Sequence, residues 1–218
     1  MTWKTLFRAV ALLAALPVVP GAAASPGRPE TNRAVADGRR EPEPYARVIV
    51  SVVTLPWSDE GRSLETVLRR LDEAGACRSD IVCLPMECVR TEGETIPGPL
   101  SDAIAAKARE YGMYVIGNLR ETDGNQRYVT SFLCGRDGQL VGKYRKVHLA
   151  APLEVWWGVT PGHEFPVYEL DGARVTMNIC MDSSALESAR VPARLGAEIL
   201  CLPIMGDHRA ARYWTGLD

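Results

Sequence analysis

Residues 128–149 read YVTSFLCGRDGQLVGKYRKVHL, two β-prone runs on either side of the pair Asp137–Gly138. Asp-Gly between such runs signals a tight hairpin and therefore antiparallel strands. The chain before it follows a different rule. RVIVSVVTL (47–55) is a continuous β-branched run, as expected of a strand covered on both faces. SLETVLRRLDEAGAC (63–77) places Leu64, Val67, Leu68, Leu71 and Ala74 on one helical face behind a Ser63 cap. DIVCLP (80–85) reads as a second buried strand. A helix capped by Ser101 or Asp102 then carries Ile104, Ala105, Ala108 and Tyr111 on one side and leads into the strand MYVIGNL. The hairpin thus converts a β-α-β-α-β run into something mixed. FPVYELDGARVTMNICMD repeats the device at Asp171–Gly172, and a last helix (ALESARVPARLGA, with Pro192 expected to kink or break it) and a strand (EILCLPI) follow. The sum is an α/β chain with a mixed sheet or two sheets, covered by helices.

The 218 residues, 46% hydrophobic with a formal net charge of −2, suffice for one substantial core and carry no basic excess for nucleic acid or an anionic membrane surface. At the N-terminus, Lys4 and Arg8 precede an apolar stretch from Ala9 to Val19, and Ala22–Ala24 supply small residues. That is the layout of a secretory signal peptide over 1–24, too short for a comfortable membrane span, with an uncleaved anchor as the lesser reading. Export, to the periplasm or outside the cell, is the expectation. Residues 25–44, rich in Pro, Gly and charge, read as a flexible leader before a domain at 45–218. The six scattered cysteines leave room for one disulfide among Cys77, Cys83 and Cys88.

Three strand ends deliver reactive groups: Glu87 after DIVCLPM, Lys146 in GKYRKVHL and Cys180 after RVTMNI. A thiol needs a proton acceptor to become a nucleophile, and a cation favours the thiolate. The same cation, with the backbone N–H of Met181, would stabilise the oxyanion that forms when a carbonyl is attacked. A base, a cation and a thiol form a set for acyl transfer; each alone would read as a surface carboxylate, a solvated lysine or a core thiol. A cysteine-protease-like pairing of Cys180 with His148, His163 or His208 lacks any accompanying signature. The histidines are too scattered, and the cysteine spacing is wrong, for a zinc site.

The ordered segments DIVCLPME, DGQLVGKYRKVHL, PGHEFPVYELDGARVTMNICMD and ARLGAEILCLP resemble the carbon–nitrogen hydrolase (nitrilase) superfamily over residues 45 to 205. The resemblance implies a four-layer α-β-β-α sandwich, hydrolysis of small amides, carbamoyl-amines or nitriles through a cysteine acyl-enzyme, no metal or organic cofactor, and homo-oligomers. Carried over, Glu87 is the general base, Lys146 the stabiliser, Cys180 the nucleophile and Glu154 a second glutamate that positions substrate or triad. Met181, Trp156 and Trp157 are the candidate substrate contacts. The sequence departs from the pattern twice. Met86 separates Pro85 from Glu87, where the family has Pro followed directly by Glu, and one extra residue in a strand would turn Glu87 to the other face unless a bulge absorbs it. The chain also stops at Asp218, so the expectation is a sandwich missing its last strands. A catalytically silent domain acting in assembly is the alternative that follows.

Overall fold

The computed structural model describes residues 47–205 apart from Trp57; the signal peptide expected over 1–24, the leader expected over 25–44 and His208 lie outside the described residues. The strands form two sheets. The first contains β1 (Val50–Val52), β2 (Ile81–Cys83), β3 (Tyr114–Asp123), β4 (Gln126–Cys134) and β5 (Leu140–Arg145) in sequential order, parallel from β1 to β3 and antiparallel from β3 to β5. The second contains β6 (Val167–Glu169), β7 (Arg174–Met177) and β8 (Ile199–Cys201), with β6–β7 antiparallel and β7–β8 parallel. Helices α1 (Leu64–Ala76) and α2 (Pro99–Tyr111) cover one face of the first sheet, the one-turn α3 (Leu153–Trp156) follows β5, and α4 (Leu186–Arg194) precedes β8.

Strand alternation builds two cores from one sheet. Val82 and Leu84, with Val115, Leu119 and Phe132, pack beneath Val67, Leu71, Ile104 and Ala108 of the helices. Their sequence neighbours Ile81, Cys83 and Ile116 point the other way, with Leu133 and Tyr144, against Val175, Met177, Ile179 and Cys201 of the second sheet. The order helices, sheet, sheet is therefore written into the period-2 pattern. Tyr168 of β6 locks the sheets together: its ring lies over Gly142, where an added Cβ would come within 2.3 Å, and its hydroxyl donates to the Lys143 carbonyl at 2.9 Å.

Four expectations change. The strand expected over 47–55 is only Val50–Val52 and leaves Val52 56% exposed, because β1 is the sheet edge and has one pairing neighbour. Helix α2 starts at Pro99 behind Gly98 rather than at Ser101 or Asp102. The Gly98 N–H donates to Ser101 Oγ at 2.8 Å, and the Leu100 and Ser101 N–H groups donate to Glu94 Oε1. Strand β3 runs on to Asp123 and turns back through Gly124 at φ +58°, a hairpin whose Asp-Gly signal sits among polar residues at 121–127. Pro192 stands inside α4 without ending it.

The last point has a local cause. A proline has no N–H for the carbonyl four residues back, here that of Ser188. The Asn178 side chain supplies the missing donor, Nδ2 to Ser188 O at 2.9 Å, although its own Oδ1 is then buried without a partner among the described residues. Asn178→Ala is therefore expected to cost about 1–3 kcal/mol of stability, since it strands a buried carbonyl. Adding Pro192→Ala should recover about 1 kcal/mol by restoring the helical donor, whereas simple additivity in urea unfolding would refute the pairing.

Glu121 ties β3 to β5. Its carboxylate accepts from Arg145 Nε and Nη2, both at 2.9 Å, from Thr130 Oγ1 at 2.6 Å, and from Lys143. Burial pushes its pKa up, but the hydrogen bonds from Arg145, Lys143 and Thr130 outweigh that and hold it below the usual carboxylate value. A depressed folded value contributes stability that is present above the unfolded value of about 4.3 and is lost as the pH falls through the folded one. Glu121→Gln should therefore flatten the acid limb of a stability–pH curve below about pH 4.3; an unchanged limb would exclude this role.

Candidate active site

Among the described residues, three that are not glycine have positive φ, and two of them are Glu87 (+47°) and Cys180 (+46°). Such conformations cost about 1–3 kcal/mol each and persist only where the surroundings impose them. At Cys180 the imposing groups are identifiable. Its N–H donates to Pro203 O at 3.0 Å, and the chain from Cys180 to Ser184 closes into a 3₁₀ turn. Asp182, fully buried in that turn, accepts the Ile179 N–H on Oδ2 at 2.8 Å.

The same carboxylate reaches the strand that carries the candidate cation. Tyr144 Oη donates to Asp182 Oδ2 at 2.7 Å, the His148 N–H donates to Oδ1 at 2.8 Å, and His148 Nδ1 lies 3.0 Å from Oδ1. Strand β5 ends at Arg145 and the chain bends at Val147 and His148, so Lys146 lies just past the strand end. Lys146 therefore sits between two residues that are both fastened to the Cys180 turn. Burial and the bond to Asp182 push the Tyr144 phenol far above its ordinary value, so it remains a donor at any working pH.

Lys146 is 1% exposed and meets Glu154 at 2.7 and 2.9 Å. Glu154, buried in α3, also accepts the Ala150 N–H. Either charge alone would be costly at that depth; together, and hydrogen-bonded, they are tolerated. Lys146 and Glu154 thus form one buried unit, and Asp182 ties the residues on either side of Lys146 to the turn that begins at Cys180.

Glu87 lies on a different set of contacts. Its carboxylate pairs with Arg120 Nε at 3.1 Å and Arg62 Nη2 at 3.4 Å, its N–H donates to Asn118 Oδ1 at 2.8 Å, and its carbonyl accepts Arg62 Nε at 2.9 Å. Among the described residues no hydrogen bond or ion pair joins it to Lys146 or Cys180. The extra residue explains the placement. Met86 turns into the cluster between the sheets, which Cys180 also borders, and donates its N–H to Ile204 O at 3.4 Å, while the left-handed, buried Glu87 turns to Arg62 and Arg120.

Glu87 there lines a cavity of about 230 Å³ with Glu92, Arg120, Arg127, Tyr128 and Trp157. The Arg120 guanidinium stacks over the Trp157 ring at 5.2 Å. Trp156, 77% exposed, does not line this cavity, and Met181 is part-exposed beside the nucleophile. Glu94 is a helix cap. His148 is engaged by Asp182 and by Ser188 Oγ at 3.1 Å and stacks on Phe165; His163 is exposed. Arg120 and Asn118 had no sequence signal, since a strand arginine and a strand asparagine match no motif. All six cysteines are free thiols, and among the described residues no group of three or more His, Cys, Asp or Glu gathers as a metal site.

Comparison with known proteins bears on the fold and the family. The chain is 29% identical over 172 residues to an omega-amidase of Xenopus tropicalis, covering 71% of this chain and 61% of that protein. It is 32% identical over 108 residues to a bifunctional nitrilase/nitrile hydratase of Lupinus angustifolius, covering 50% of this chain and 31% of that one. The crystal structure of an amidase from Nesterenkonia sp. superposes with a TM-score of 0.62 at 20% identity, over 75% of this chain and 68% of that one, which shows the shared fold. The chain spans about three fifths of the length of the first of these relatives, 61%. The sequence profile of carbon-nitrogen hydrolases matches residues 49–216, so the chain belongs to the carbon-nitrogen hydrolase family.

Proposed function

We propose that this protein hydrolyses small amides through a thioester on Cys180. The observation that carries the reading is the double attachment of the Lys146 segment to the Cys180 turn through Asp182, which supports a pairing of the Lys146 cation with a thiol on a strained backbone. The Cys180 sulfur attacks the amide carbon and its proton passes to the Lys146–Glu154 pair, Lys146 yielding one proton to Glu154 as it takes another. The oxyanion is met by the Lys146 ammonium and by the Met181 N–H, which lies in the first turn of a helix where no intrahelical carbonyl claims it. The C–N bond then breaks, the amine or ammonia leaves with the proton held by the pair, and water cleaves the thioester by the same relay.

Glu87 pairs with two arginines rather than with the Lys146–Glu154 pair; it holds Arg120 over Trp157 at the wall of the cavity, where the rest of the substrate would lie. An amide is favoured over a carbamoyl-amine or a nitrile because the omega-amidases and the amidase structures are amide-acting by name. Export after cleavage near Ala24 and assembly as a homo-oligomer complete the proposal, the first resting on the basic and apolar pattern of residues 1–24.

Cys180→Ala is expected to abolish turnover across a panel of short-chain amides, carbamoyl-amines and nitriles while leaving the unfolding midpoint nearly unchanged. A wild-type chain inert on the whole panel would instead support a silent scaffold. Glu154→Gln should lower kcat by about 10²–10⁴-fold, the range of a lost general acid–base group, whereas Glu87→Gln should act mainly on KM. The reverse ranking would return the proton transfer to Glu87. Asp182→Asn should slow alkylation of Cys180 by iodoacetamide at least about tenfold, because the turn loses its anionic anchor. Wild-type labelling rates in that variant would remove Asp182 from the scheme.

A further inference from the structure

Phe165, just before β6, stacks on two rings at once. Its centroid lies 6.0 Å from that of Tyr144 with 28° between the planes, and 6.1 Å from that of His148 with 20°. Both of those rings reach the same buried carboxylate. Tyr144 Oη donates to Asp182 Oδ2 at 2.7 Å, and His148 Nδ1 lies 3.0 Å from Asp182 Oδ1. The same His148 nitrogen lies 3.1 Å from the hydroxyl oxygen of Ser188, which is buried in α4.

These contacts fix where the ring proton sits. Asp182 already accepts from the Ile179 N–H, the Tyr144 hydroxyl and the His148 N–H, so both of its oxygens act as acceptors. A bare Nδ1 at 3.0 Å would set lone pair against lone pair. Nδ1 therefore carries the proton and shares it between Asp182 and the Ser188 oxygen. Ser188, His148 and Asp182 are thus no serine-hydrolase triad, in which serine and carboxylate use opposite ring nitrogens. Here both use Nδ1, and among the described residues Nε2 makes no hydrogen bond.

We propose that His148 is a positioning residue for the nucleophile: its Nδ1–H, aimed by Phe165 and Ser188, completes the donor set that fixes Asp182 in the Cys180 turn. Asp182 in turn holds the Ile179 N–H next to Cys180 at 2.8 Å. Without the imidazole donor, Oδ1 of a fully buried carboxylate keeps only the His148 backbone N–H, and the turn loses a charge-assisted bond. The consequence for turnover rests on the amide-hydrolysis reading above; the consequence for the thiol does not.

His148→Asn places an amide N–H where Nδ1 stands, whereas His148→Gln carries the same group one methylene further, toward the place of Nε2. The full chain and both variants would be treated with iodoacetamide, with the rate at Cys180 followed by mass spectrometry, and assayed on a short-chain amide. His148→Asn should stay within about threefold of wild type in alkylation rate and kcat. His148→Gln should slow both by at least about tenfold, the worth of one hydrogen bond to a buried charge, with KM unchanged within about twofold. Equal behaviour of the two variants, or an effect on KM alone, would overturn the proposal. Nitrogen-15 NMR of the wild type tests it without any substitution: above about pH 8, where an imidazole is ordinarily neutral, His148 should carry its proton on Nδ1, and a bare Nδ1 would overturn it. A wild type inert on amides that still shows the expected alkylation ranking would end the amidase reading and keep His148 in this role.

Discussion

The carboxylate of Asp182 is the constraint on which the rest of the site depends. It accepts from a backbone N–H in its own turn, from a phenol two strands away and from the backbone of a third segment, all at 2.7–2.8 Å. A charged acceptor buried to this extent is sustainable only when its lone pairs are filled, so the turn, β5 and the chain after β5 cannot move independently. Cys180 keeps its left-handed backbone because the residues on both sides of it are already committed. Lys146 keeps its depth because its neighbours are.

The strained backbone at Glu87 and at Cys180 has a common frame, the short segment after β8 that accepts from both strands' exits. The two positions nevertheless serve different contacts. One begins the turn that Asp182 fastens, and the other turns a carboxylate toward two arginines and a cavity. A single inserted methionine accounts for the divergence, by filling with hydrocarbon the space between the sheets that a carboxylate one position earlier would have entered.

The elements and their order were legible in the sequence from local runs and periods, whereas the layered sandwich came only as what the family resemblance implies; the alternation in β2 and β3 that sends residues to two apolar cores is seen in the structure. Ser63 and the Asp137 and Asp171 turns were legible for the same local reason. The α2 start was not, since its cap comes from Glu94, outside the helix, and the continuation of α4 through Pro192 was not, since its compensation comes from Asn178 in another element. At the site, Cys180, Lys146 and Glu154 could be found as residue types in order. The separation of Glu87 from them could not, because it depends on which side chain a left-handed residue sends inward, and periodicity does not encode that.

The hold of Pro203 on the Cys180 N–H also has a temporal meaning. Cys180 precedes its own backbone restraint in the chain, and β8 must dock beside β7 before the turn can close. During synthesis Cys180 therefore emerges in an ordinary, relaxed strand end and takes up its left-handed backbone only when the parallel partner strand arrives. The local strain is in that sense a late product of folding, set by the order of the strands.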